Sequence, residues 1–276
     1  MEPTSINHIK KICKELGIRP ARSKGQNFLI SQNIVDEIIK AADLKKSELV
    51  IEVGAGFGTL TFSIAERVKR LIAVEWDKRI FAYLEKQTQA YRNIELVQAD
   101  ILAWLVGWPS VDTDYKVVAN LPYQLTSRLL RLLLEKDNPP NQMVLMVQKE
   151  VGERIAAKPG KMSILSVMVQ YYAQVAIIKK VNKINFWPQP KIDSLILKIE
   201  RKQIAGSRRN EKEFFKLVRL GFAKKRRMLK NNLTAVYQAD KAEEALKRID
   251  LGLKVRAQEL SVEDWARLLH KLQNGG

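Results

Sequence analysis

The strongest constraint in this sequence is an alternation of two hydrophobic periods between residues 31 and 200. "SQNIVDEIIKAADL" carries apolar residues at 34, 35, 38, 39 and 42, the spacing of one helix face. "ELVIEVGAG" is a short β-branched run that stops on glycines, and "TLTFSIAERV" returns to a helical pattern. "RLIAVEWD", "NIELVQAD", "YKVVANLPY" and "NQMVLMVQ" repeat the strand signal, with helical stretches between them, and "YYAQVAIIKKVN" and "SLILKIE" close with strands. Near-continuous apolar strands separated by amphipathic helices predict an α/β fold with a doubly wound, mostly parallel sheet, Rossmann-like in kind.

The end of the chain reads differently. "RKQIAGSRRN" is polar, basic and strandless, and only helical patterns follow it. One of these is "EKEFFKLVRLGFAKKRRMLKNNLTAVY", whose basic cluster is expected on a helix. Ser261 with Asp264 three residues on predicts a helix start. Three segments are therefore expected: a basic arm over 1–26, a sheet domain over 27–204 and a small helical domain over 205–276. The net charge of +18 is uneven along them. Residues 201–276 hold nineteen Lys/Arg against nine Asp/Glu, while 27–200 are nearly balanced. Polyphosphate is the usual partner of such a surface, because neutralising phosphates releases counterions. A lone cysteine, Cys13, excludes a disulfide within the chain and suits a reducing, cytoplasmic setting. The start has no apolar signal-peptide core, and the longest apolar runs are too short to span a bilayer, so no membrane role is expected. His8 and His270 have no partners at metal-ligand spacing, so no metal site is expected, and a monomer is the default.

Ligands of an open parallel sheet bind beyond the carboxyl ends of its strands. The first strand ends "IEVGAGFGTLT", where Gly54, Gly56 and Gly58 allow a tight turn. Position 59 is Thr, so this departs from the dinucleotide pattern G-x-G-x-x-G. Glu75, 21 residues past Gly54, ends the second strand and can take ribose hydroxyls. Asp100 ends the third and can accept an adenine amine. Glycine loop, ribose acid and amine acceptor in that order suit S-adenosylmethionine. Trp76 is read either as an adenine contact or as core, and Asp77 as a helix-start residue. The fourth strand ends "VVANLPYQLTS". The exocyclic nitrogen of adenine is a poor nucleophile, because its lone pair is delocalised into the ring. The side-chain oxygen of Asn120 and the carbonyl of Leu121 can accept its two N–H groups, with Pro122 stiffening the turn, so that the lone pair is freed toward a methyl donor. Tyr123 offers a face for a flipped base.

With these pieces in place the chain resembles the small-subunit ribosomal RNA adenine dimethyltransferases. The matching stretches run in family order: "KGQNFL" at 24–29, "IEVGAGFGTLT" at 51–61, "VEWD" at 74–77, "QADIL" at 98–102, "VVANLPYQLTS" at 117–127, "MVQKEVGERIAAKPGK" at 146–161, "LSVMVQYY" at 165–172, "FWPQPKIDS" at 186–194 and "FAKKRRMLKNNL" at 222–233. The resemblance implies a class I methyltransferase fold. It implies transfer of two methyls from S-adenosylmethionine to N6 of each of two adjacent adenines in the 3′-terminal hairpin of the small-subunit RNA, during subunit assembly. It places cofactor contacts on Asn27, Leu29, Gly54, Glu75, Asp100 and Asn120, and target-base contacts on Asn120, Leu121, Pro122, Tyr123 and Phe186. It makes Pro188 and Pro190 stiffeners of the loop beside the site. RNA phosphate contacts are expected from Lys225, Arg226, Arg227 and Lys230. The departures are small: Ala55 for the usual Pro, Trp76 for an aliphatic residue, and Lys-Arg-Arg for Arg-Arg-Lys at 225–227. The large-subunit adenine methyltransferases of macrolide resistance share the fold but more often read "SQNFL" and "NIPY". An assembly factor without catalysis would not need the intact Asn120–Tyr123 motif.

Overall fold

The computed structural model describes residues 4–20, 26–108, 113–203, 208–224 and 226–274. The chain forms two compact units. One comprises 1–152 with 175–201, and the other 153–174 with 202–276. The second boundary falls beside the basic stretch "RKQIAGSRRN". The first differs from the reading of the sequence, because residues 153–174 leave the sheet unit and pack with the terminal helices.

In the first unit the elements are α1 (Ile6–Glu15), β1 (Phe28–Leu29), α2 (Gln32–Ala42), β2 (Leu49–Val53), α3 (Thr61–Ala65), β3 (Arg70–Glu75), α4 (Lys78–Thr88), β4 (Ile94–Gln98), α5 (Ile101–Gly107), β5 (Tyr115–Asn120), α6 (Thr126–Leu134), β6 (Gln142–Gln148) and the start of α7 (Lys149–Ile155). After α8 (Ile164–Tyr172) the chain returns through β7 (Ala173–Val181), β8 (Phe186–Trp187) and β9 (Ser194–Arg201). Seven strands make one sheet in the order β4-β3-β2-β5-β6-β9-β7. β4 to β6 are mutually parallel, and β9 runs antiparallel to β6. The order reverses between β2 and β5, so the ends of β2, β3, β4 and β5 open onto one edge. Helix α2, with Ile34, Val35 and Ile38 buried, joins Val50, Val118 and Val144 of the sheet in one core. That burial is what makes the strands read as unbroken apolar runs.

The residues read as a basic arm contain a helix. α1 is capped by the Ser5 side chain, which accepts from the His8 amide, and it buries Ile9, Ile12 and Cys13. These pack with Phe28, Phe57 and Ile80 in a second apolar cluster. Burial pushes the Cys13 thiol up to about 11, so it is an inert core group. β1 and β8 pair as a separate antiparallel ribbon, Phe28 opposite Trp187 and Leu29 opposite Phe186. Alternation across these strands sends Leu29 and Phe186 to the sheet core, and Phe28 and Trp187 to the α1 cluster.

The second unit contains α8, α9 (Arg208–Gly221), α10 (Leu229–Leu233), α11 (Ala239–Lys247) and α12 (Val262–Asn274). Trp265 is its fully buried centre, with Phe214, Leu217, Leu233, Leu246 and Leu268 around it. Ser261 caps α12 as expected: its hydroxyl accepts from the Asp264 amide, while the Asp264 carboxylate accepts from the Ser261 amide. The run 211–237 is not one helix. It breaks after Gly221 and resumes at Leu229, because buried Asn232 donates to the carbonyls of Gly221 (2.6 Å) and Lys224 (3.2 Å). The first bond satisfies a carbonyl that the end of α9 leaves open, and the second joins the Arg227 amide on the Lys224 carbonyl. Asn232→Ala should destabilise this unit by about 1–3 kcal/mol. Urea unfolding followed by circular dichroism would read the loss, and an unchanged midpoint would show that solvent already serves those carbonyls.

Candidate active site at the strand ends

At the end of β2 the backbone turns through Gly54 at φ +73, and a Cβ there would meet nothing within 4 Å. The turn therefore faces open space, and its amide is tied to the Val74 carbonyl of β3 at 2.9 Å. Gly58, at φ +87, is needed for another reason. A Cβ there would lie 2.5 Å from the Phe62 ring and 3.0 Å from Leu84.

Glu75 ends β3 and is buried. Its carboxylate accepts backbone N–H groups from Gly56 (2.9 Å), Trp76 (3.0 Å) and Asp77 (2.9 Å). The glycine loop is thus clamped to the end of the neighbouring strand by one side chain. Burial pushes the Glu75 carboxyl above its ordinary range, the three amides pull it back, and the Asp77 charge adds to the rise. Asp77 caps α4, as its position suggested. Asp100 is exposed after β4. Its Oδ1 caps α5 by accepting from Leu102 (2.8 Å) and Ala103 (3.1 Å), and among the described residues its Oδ2 takes no hydrogen bond.

Asn120 ends β5 with its amide pinned: Nδ2 donates to the carbonyl of Asn27 at 3.1 Å. That bond assigns the amide orientation and leaves Oδ1 as the end turned away from Asn27. Asn27 directly precedes β1, and the ribbon with β8 holds it there. The Leu121 amide donates to Met146, and the Leu125 amide closes the next turn on the Pro122 carbonyl at 3.0 Å. The Tyr123 hydroxyl shares a hydrogen bond with buried Ser194 at 3.2 Å, which fixes the ring. Burial raises the Tyr123 phenol, and the Ser194 bond opposes that rise.

Two neighbouring cavities lie along this edge. The first, about 70 Å³, is lined by Asn27, Leu29, Glu52, Gly54, Glu75 and Asn120 among others. The second, about 270 Å³, is lined by Val53, Asp100, Ile101, Gln124 and Leu125 among others. Gly54, Trp76 and Pro122 line both, so the two form one elongated trough suited to a ligand with two chemically distinct ends. Trp76 is 47% exposed. It is therefore wall rather than core. Among the described residues, no Lys, Arg or His lines either cavity.

All six expected cofactor contacts thus meet at one edge, together with Pro122. Phe186 does not join them. It is 3% exposed, turned into the sheet core by the β1–β8 pairing, so its ring offers no open face to a base. In the helical unit, Lys225 lies outside the described residues. Arg226 and Arg227 are exposed in the turn between α9 and α10 instead of on a helix. Lys230 is on α10 and is held in an ion pair with Glu243 at 2.7 Å, so it is not a free phosphate contact. Sequence reasoning passed over Glu52, which lines the first cavity. Its signal was an acid in the middle of the apolar strand "LVIEV".

The family model for ribosomal RNA adenine dimethylases matches residues 19–274. A ribosomal RNA small subunit methyltransferase A of Halothermothrix orenii is 40% identical over 276 residues, covering 95% of this chain and 91% of the relative. The protein of the same name from Bacillus pumilus is 38% identical, covering 96% and 95%. Among solved structures, a dimethyladenosine transferase from Plasmodium falciparum superposes with a TM-score of 0.75 at 27% identity, covering 89% of this chain and 97% of that one. The 23S rRNA methyltransferase ErmE superposes at 0.77 with 26% identity, covering 90% and 100%. With the strand-end site in place and the match running nearly end to end, this chain belongs to the ribosomal RNA adenine dimethylase family.

Proposed function

We propose that this protein transfers two methyl groups from S-adenosylmethionine to N6 of each of two adjacent adenines in the 3′-terminal hairpin of small-subunit ribosomal RNA. The observation that carries the chemistry is the pinned amide of Asn120 at the end of β5. Small-subunit RNA is favoured over large-subunit RNA by the relatives. Those named for the small subunit reach 40% identity, against 26% for the 23S enzyme.

The trough fits the cofactor by its donor set. Gly54 presents backbone with room in front of it, Glu75 is placed for ribose hydroxyls, and the unengaged Oδ2 of Asp100 is an acceptor for the adenine amine. Leu29 and Trp76 supply apolar wall. When bound, the cofactor supplies an electrophilic methyl on a sulfonium. The chain's own residues must then prepare the nucleophile. Oδ1 of Asn120 and the Leu121 carbonyl accept the two N–H groups of the adenine amine, which draws its lone pair out of the ring. The Asn27 carbonyl holds the Asn120 amide so that an acceptor, and not a donor, meets that amine. Among the described residues the ionisable groups lining the trough are carboxyls, and no base is required at the amine, because the nitrogen can lose its proton after attack. Tyr123, fixed by Ser194, is the stacking face for the base, and Phe186 supports the ribbon behind it. Arg226 and Arg227 contact RNA phosphates and contribute affinity, not sequence choice.

Incubation with labelled S-adenosylmethionine and small subunits lacking the modification should place label as N6,N6-dimethyladenosine in the 3′-terminal hairpin. Label confined to large-subunit RNA would overturn the choice of substrate. Asn120→Ala should slow transfer by about 10²-fold or more while RNA binding stays near that of the unaltered protein. Equal turnover would remove the role assigned to its side chain. Arg226→Ala with Arg227→Ala should lower RNA affinity and reduce the salt slope of log K by roughly one to two. An unchanged slope would leave the pair as solvated charge.

A further inference from the structure

Two consecutive residues at the start of β9 are bonded toward opposite sides of the site around Asn120 and Tyr123. Ser194 opens β9 opposite Gln148, the last residue of β6, and is 0% exposed. Its hydroxyl lies 3.2 Å from the Tyr123 hydroxyl, and among the described residues neither hydroxyl has another hydrogen-bond partner. A phenylalanine would offer a base the same face, so stacking alone does not call for a phenol. The Tyr123 hydroxyl is a tether for its ring. Asp193 is bonded the other way. Its carbonyl accepts from the Lys149 amide at 3.0 Å, which holds the entry to β9 against the end of β6. Its Oδ1 accepts from the Lys183 amide at 3.1 Å, and its Oδ2 pairs with Lys180 Nζ at 3.0 Å. Lys183 begins a short helical turn, Lys183–Asn185, that runs directly into β8. The Asn185 carbonyl accepts from the Ile30 amide at 2.9 Å, and β8 pairs with β1. Asn27, whose carbonyl holds the Asn120 amide, directly precedes β1.

We propose that Asp193 and Ser194 together are the positioning element of the base site: Ser194 sets the Tyr123 ring, and Asp193 sets the ribbon that carries Asn27 to Asn120. This rests on the reading of Asn120 and Tyr123 as the groups that meet the target adenine. Ser194 has no open surface and Asp193 lines neither cavity, so each acts through another residue. Methyl transfer needs the amine in line with its donor, and a ring or amide that is free to turn spends part of its time out of that geometry. Because the two residues are adjacent on one strand, one piece of backbone sets the stacking face and the amine acceptor relative to each other. The Lys180 side chain is 57% exposed, so its ion pair contributes little, and the bond to the Lys183 amide is the one that holds the turn. The ribbon also carries Leu29 to the trough wall. Asp193 therefore bears on the cofactor as well as on the base, whereas Ser194 bears on the base alone.

The test measures kcat for methyl transfer to small subunits lacking the modification, alongside the affinity for S-adenosylhomocysteine by calorimetry. Tyr123→Phe and Ser194→Ala should each lower kcat by about three- to tenfold with cofactor affinity unchanged. The double variant should be no slower than the slower single one, because both remove the same bond. Additive losses would overturn the role of Ser194. Asp193→Ala should lower kcat and cofactor affinity together, each by about threefold or more. Asp193→Asn keeps an oxygen for the Lys183 amide and should recover most of both. An unchanged cofactor affinity in Asp193→Ala, or no recovery in Asp193→Asn, would overturn the role of Asp193. If Ser194→Ala or Asp193→Ala does not fold, Tyr123→Phe decides, since it leaves both residues in place, and full activity there overturns the tether. Absence of transfer by the unaltered protein would instead overturn the proposed function, and this assignment with it.

Discussion

Four adjacent parallel strands must end on the same edge, and everything at this site depends on that constraint. β4, β3, β2 and β5 are neighbours in one sheet, and each delivers one residue of the site where its run stops, a glycine after β2 and polar side chains after the other three. Gly54, Glu75, Asp100 and Asn120 are far apart in sequence and are brought to one trough by the pairing of their strands. The apolar core beneath supplies the driving force, since burying Val50, Val118 and Val144 under α2 is favourable only with the strands in this register. The polar groups at the edge draw on the rigidity of that core.

The trough is then made specific by side chains that each satisfy backbone before they meet a ligand. Glu75 clamps the loop that begins at Gly54, Asp100 caps α5, and the Asn120 amide is tied to Asn27. Asp100 keeps Oδ2 as an acceptor after making its structural bonds, whereas both oxygens of Glu75 hold backbone amides. This is preorganisation: the groups that would meet a cofactor or an adenine are already oriented, so binding need not order them. The β1–β8 ribbon extends the same logic. It carries Asn27 and Leu29 to the edge, and its two faces are buried in different apolar clusters.

The basic surface is organised differently. In the helical unit, the break between α9 and α10 puts Arg226 and Arg227 on an exposed turn, and buried Asn232 holds that turn. Lys230, four residues after Arg226, is neutralised by Glu243. Net charge in a segment therefore overstates the number of cations free to meet phosphate. Local ion pairing decides which of them remain available.

The order of strands and helices, the strand-end positions of Gly54, Glu75, Asp100 and Asn120, and the family were all legible in the sequence. Hydrophobic period and turn residues are local signals, and a parallel sheet turns such signals into position. What the chain order could not disclose was set by contacts between distant residues. The burial of Phe186 follows from its pairing with Leu29, and the helix in the basic arm is anchored by Phe57 and Ile80. The break between α9 and α10 follows from an asparagine amide that reaches back to two carbonyls, in a segment whose apolar spacing alone reads as one continuous helix. Glu52 was visible as an acid within an apolar strand. Only the tertiary structure showed that its oxygen is buried and unmatched, because desolvation and pairing depend on which atoms surround a group.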